Sequence, residues 1–131
     1  MKPTKSLHDY LINLPAAELD YPFGDDLPVY KVEGKVFAIY FSDEKSERIN
    51  LKCDPIMAEQ LRSVFTEVTP GYHMNKKHWN TVDLTGDLPQ GEVFRQIDHS
   101  YELIVKKLPK AVKQRLRIQH ERLAWLTWGI T

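Results

Sequence analysis

Hydrophobic positions along the chain change period several times, and each change marks an element. Leu7, Tyr10, Leu11 and Leu14 recur at three- and four-residue spacing, so a helix runs from a Thr4 cap to about Leu14, where Pro15 stops it. Residues 16–28 hold Pro22, Gly24, Asp25, Asp26 and Pro28 and read as a loop, with Tyr21 and Phe23 pinning it to the core. Val29–Val32 and Lys35–Phe41 are rich in β-branched and aromatic residues and flank a Glu33-Gly34 turn. After a polar hairpin loop, Arg48–Cys53 alternates Ile49 and Leu51 against Asn50 and Lys52.

Asp54 caps the next helix and Pro55 takes its first position, where a missing N–H costs nothing. Met57, Leu61 and either Val64 or Phe65 form its buried side. A short strand over Glu67–Tyr72 breaks at Pro70-Gly71, a polar loop covers His73–His78, and a further strand covers Trp79–Leu84. A long amphipathic helix follows over Glu92–Leu108, and Pro109 divides it from a last helix over about Lys110–Trp128, closed by Gly129. The order predicts an α+β fold: one antiparallel sheet with helices packed against it. One domain spans 1–131, with no repeat and no linker.

Composition narrows the function. With 42% hydrophobic and 11% aromatic residues the chain is globular, not disordered. A single cysteine, Cys53, excludes an internal disulfide and a cysteine-rich zinc site. The start has no apolar leader region and no apolar run reaches spanning length, so a cytoplasmic protein without membrane contact is expected. Formal net charge is zero, yet it is unevenly placed. Residues 102–131 carry Lys106, Lys107, Lys110, Lys113, Arg115, Arg117 and Arg122 against only Glu102 and Glu121. Such a cationic segment either contacts phosphate or solvates a helix face.

The densest chemistry lies in Gly71–Asn80. Lys76 and Lys77 can pair with phosphates, Asn75 and Asn80 can meet base edges or backbone, His73 and His78 add imidazoles, and Tyr72 and Trp79 can stack or anchor. The same residues also suit a structural loop. His73 and His78 have neither helical nor finger spacing for a metal, and no carboxylate lies in the loop, so no metal site is expected. Cys53 next to a helix start could be activated, but single strand-end cysteines are usually buried hydrophobes. No nucleophile elbow or phosphate-binding glycine loop is present, and neither a catalytic residue nor a cofactor is expected.

Several segments together resemble the MmcQ/YjbR family: Tyr21-Pro22-Phe23-Gly24, Leu51–Pro55, Thr69–Val82, Gly86-Asp87-Leu88-Pro89, Asp98-His99-Ser100-Tyr101 and Leu108-Pro109-Lys110. The match spans about residues 5–110, leaving a helical extension over about 110–128. The resemblance implies a frataxin-like (CyaY-like) α+β arrangement, a shape described as a double wing, and a role commonly called DNA-binding. It implies no enzymatic activity. The Ser42–Arg48 hairpin bears Asp43, Glu44 and Glu47 against Lys45 and Arg48, which directs phosphate contacts elsewhere. The expected nucleic-acid-binding residues are therefore His73, Asn75, Lys76, Lys77, His78, Asn80, Lys106, Lys107, Lys110, Lys113 and Arg117, with double-stranded DNA as partner. The alternative is a protein-interaction or small-ligand module, with a protein partner or a second copy meeting the Trp125/Trp128 tail.

Overall fold

In the computed structural model, which describes residues 3–126, the Thr4 hydroxyl accepts the Leu7 N–H at 3.3 Å and starts helix α1 (Lys5–Ile12). Leu7 and Leu11 form its buried side. The segment expected as a loop then opens with a strand, β1 (Ala17–Asp20), paired to β2 (Val29–Val32). Four residues are too few for alternation to stand out from a loop, although Ala17 and Leu19 are half-buried while Glu18 and Asp20 are exposed.

The Glu33-Gly34 turn has positive φ at both residues, 50° and 77°, the geometry that suits a two-residue hairpin. It leads into β3 (Lys35–Ser42), followed by β4 (Glu47–Lys52), helix α2 (Pro55–Val64), β5 (Val68–Pro70) and β6 (Trp79–Asp83). Helix α3 (Gln90–Lys106) and helix α4 (Lys110–Gln119) complete the fold. The six strands form one antiparallel sheet in the order β1-β2-β3-β4-β6-β5.

Register in β3 slips at one residue. Tyr30 faces Ala38 but Lys31 faces Val36, which leaves Phe37 as a bulge. Phe37, Ala38 and Tyr40 consequently enter the core beneath the helices, while Val36, Ile39 and Phe41 line the opposite face. Val93, Ile97, Tyr101 and Val105 of α3 and Leu7 and Leu11 of α1 complete the core.

Four consecutive residues of α3 fasten it to its surroundings. Asp98 accepts the Tyr10 hydroxyl at 2.5 Å, and His99 Nε2 accepts the Asp54 N–H at 3.2 Å. The Ser100 hydroxyl donates to the Phe37 carbonyl at 2.6 Å and accepts the Lys52 N–H at 2.9 Å. The Tyr101 hydroxyl donates to the Pro15 carbonyl at 2.6 Å.

In α2 the inner residues are Ala58 and Leu61, helped by Met57 and Phe65; Val64 is exposed. The last helix is shorter than expected. It ends at Gln119, His120 is extended, and a 3-10 turn covers Glu121–Leu123. This break turns the chain back, so that Leu123 and Leu126 enter the core and Arg122 donates to the Asn13 carbonyl at 2.7 Å. A continuous helix would carry those leucines away. Trp128 and Gly129 lie outside the described residues.

Candidate nucleic-acid interface

Strand register places the 71–78 loop at the end of the sheet where β4 ends and β6 begins. Lys52 at the end of β4 faces Trp79 at the start of β6, and Pro70 at the end of β5 faces Asn80. The 71–78 loop therefore sits at the end of the sheet where β3 begins. There Gly71 approaches its neighbour so closely that a Cβ would lie 2.7 Å from the Trp79 Cβ.

Arg62 of α2 organises the loop. Its guanidinium donates to Asn80 Oδ1 at 2.7 Å, to the Trp79 carbonyl at 3.2 Å and to the Lys76 carbonyl. Lys76 Nζ donates to the Gly71 carbonyl at 2.8 Å, and Asn75 Oδ1 accepts the Lys77 N–H at 2.9 Å. The loop's first turn is tied to the sheet. Tyr72 donates its N–H to Thr81 Oγ1 at 2.8 Å and accepts from Asn50 Nδ2 at 3.0 Å. Thr81 in turn donates to Asn50 Oδ1 at 2.5 Å.

These contacts sort the expected site residues. Asn80 is only 1% exposed and spends its amide on Arg62 and the Ala58 carbonyl, so it holds the fold and does not face a ligand. Lys113, at 6% exposure, is also corrected: its ammonium donates to the Lys106 carbonyl at 3.0 Å and closes the C-terminus of α3. Asn75 and Lys76 are exposed but engaged in loop hydrogen bonds. His73, Lys77, Lys106, Lys107 and Lys110 are exposed, and His78 and Arg117 half-buried. Lys106 Nζ lies 5.8 Å from the centre of the half-exposed Trp125 ring.

Lys52, which the sequence reading did not select, links the two cationic segments. Its Nζ lies 5.8 Å from the centre of the Trp79 ring. Burial, and then the charge of Lys107, pull its pKa below the ordinary lysine value. The signal available in the sequence was its place opposite Ile49 and Leu51 in the strand alternation. Two acidic groups near this end have partners: Glu33 pairs with Arg115 at 2.5 Å, and Asp54 accepts the Met57 N–H as the cap of α2.

Cys53 is buried, and burial pushes its thiol up to about 11, so it remains protonated near neutrality. No described helix is long and apolar enough to cross a membrane. Among the described residues, no three of His, Cys, Asp and Glu converge as a metal ion would need.

Known proteins share this fold. The chain is 34% identical over 117 residues to the uncharacterized protein YbdF of Escherichia coli O157:H7, covering 86% of this chain and 96% of that protein. It is 35% identical over 113 residues to the uncharacterized protein YjbR of Escherichia coli strain K12, covering 86% and 95%. Among solved structures, the Deinococcus radiodurans protein DR2400, with its DUF419 domain, superposes with a TM-score of 0.78 at 34% identity, covering 84% of each chain. A Pseudomonas syringae protein superposes with a TM-score of 0.68 at 28% identity, covering 78% of this chain and 98% of that one. The YjbR family model matches residues 12–103, from the end of α1 through the fastening residues of α3, and the chain belongs to the YjbR family.

Proposed function

We propose that this chain is a non-enzymatic nucleic-acid-binding module that grips the phosphates of double-stranded DNA at one end of its sheet. The observation that carries this reading is the convergence at Lys52 of the Lys77 loop with Lys107 and its neighbours Lys106 and Lys110. Ammonium groups on separate elements give a surface that attracts phosphate without reading base identity. The burial of Asn80 and Lys113 removes them from this surface, and the engagement of Lys76 leaves Lys77 as the loop's main cation.

Fluorescence anisotropy of a labelled duplex at several salt concentrations tests the reading. Binding through four or five of these lysines gives a log–log salt slope of about −4. Replacing Lys52 and Lys107 with Gln lowers the slope by about 2, at 0.9 per lost contact. Absence of binding at low salt, or an unchanged slope in that double variant, overturns the proposal.

A further inference from the structure

The sheet face opposite the helices holds an apolar groove of about 410 Å³, a volume suited to a small molecule. Ile39 and Phe41 reach it because of the Phe37 bulge. Phe23 and Leu27 form one wall, and Tyr72 and His73 the other. Phe23 is 68% exposed and Tyr72 49%, so Phe23 does not pin its loop to the core as its sequence context led one to expect. Phe23, Tyr72 and His73 come from segments that carry the family resemblance. His73 also holds a left-handed backbone at φ 60°, which sets its ring 4.0 Å from that of Tyr72.

The charge that touches the groove's rings is a cation, Arg48, at the groove's edge. No carboxylate lines it among the described residues. The Arg48 guanidinium stands on two of its rings, 4.7 Å from the centre of Phe41 and 5.4 Å from that of Tyr72. Its Nε is buried without a hydrogen-bond partner, and its Nη2 is 3.5 Å from Asp43. That Asp43 carboxylate already accepts the N–H groups of Lys45 and Ser46. A mostly apolar groove with one cation against its wall is complementary to an apolar body bearing one negative charge.

We propose that this groove binds a small aromatic or aliphatic monocarboxylate, its apolar part between Phe23 and Tyr72 and its carboxylate against Arg48. The groove shares Tyr72–Met74 with the loop that carries Lys77, but carboxylate binding at Arg48 needs no phosphate contact, so neither reading needs the other.

The test is an NMR titration of the isotope-labelled chain with 2-naphthoate and, separately, with 2-naphthalenemethanol, the same ring system without the charge. The acid shifts the amide signals of Ile39, Phe41 and Tyr72–Met74 to saturation, and the alcohol binds there about tenfold more weakly. Arg48→Gln brings the acid down to the alcohol's affinity and leaves the alcohol unchanged, whereas Arg48→Lys restores part of the difference. Phe23→Ala, which removes an exposed ring and leaves the core intact, weakens both probes and keeps the test open should Arg48→Gln fail to fold. Equal binding of acid and alcohol, shifts centred elsewhere, or no saturable shift overturns the proposal. So do concentration-dependent shifts of these signals without a probe, which would mean that a second copy covers the face.

Discussion

The Ser100 hydroxyl donates to the carbonyl of Phe37, the residue at which β3 bulges, and at the same time accepts the Lys52 N–H from β4. One buried side chain thereby fixes the place where the strand changes the face it presents and the foot of the lysine that links the two cationic segments. Ser100→Ala leaves a buried carbonyl and a buried N–H without that partner. The expected loss is about 1–3 kcal/mol in urea-induced unfolding, with faster hydrogen exchange at the Lys52 amide. An unchanged unfolding midpoint would show that the hydroxyl is dispensable.

Arg62 holds the 71–78 loop through three acceptors, two of them backbone carbonyls. Arg62→Gln is too short to span them. It is expected to increase hydrogen exchange throughout the loop and to destabilise the fold by about 2 kcal/mol through the buried Asn80 amide left without its partner. Protection confined to its original level in the loop would count against this role.

His99 accepts the Asp54 N–H through a ring nitrogen that must be unprotonated, and burial pulls its pKa below the ordinary 6.5. The folded state therefore binds a proton less readily than the unfolded state. Stability from this group is complete above about pH 6.5 and declines as the pH falls through that value towards the lower folded-state pKa. Thermal unfolding between pH 7.5 and 5 should show the decline, and His99→Gln, which keeps an acceptor, should flatten it. An identical pH profile in the variant would assign the effect to other groups.

Cys53 should react slowly. A buried thiol raised to about 11 contributes little thiolate near pH 8. An aromatic disulfide reagent is expected to label it at a rate set by unfolding, so that labelling accelerates in urea. Immediate labelling of the folded chain would contradict its placement.

Much of the fold was legible in the sequence because long elements repeat their period. The first three helices, the start of the fourth and the strands from Val29 onward lie close to where spacing puts them. The misses share a cause: each depends on a contact distant in sequence. β1 is a strand because β2 pairs with it, and α4 stops because Leu123 and Leu126 must return to the core. The candidate site was partly legible. Residue type marked Lys77, Lys106, Lys107 and Lys110 correctly as exposed cations, but it could not show that Lys113 closes α3 or that Asn80 is buried under Arg62. Lys52 and Arg48 escaped selection because isolated cations on strands carry no local motif.

The single extra residue in β3 also separates two kinds of inheritance. Along most half-buried strands a one-position slip exchanges inside for outside, so lining and interior are locked together. Here the parity changes at Phe37. A methyl added at the fully enclosed Ala38 must strain the interior, whereas a change at Ile39, one position later and 8% exposed, reshapes the lining of the opposite face. Interior and groove lining therefore sit at adjacent positions of one strand, each answering to its own neighbours.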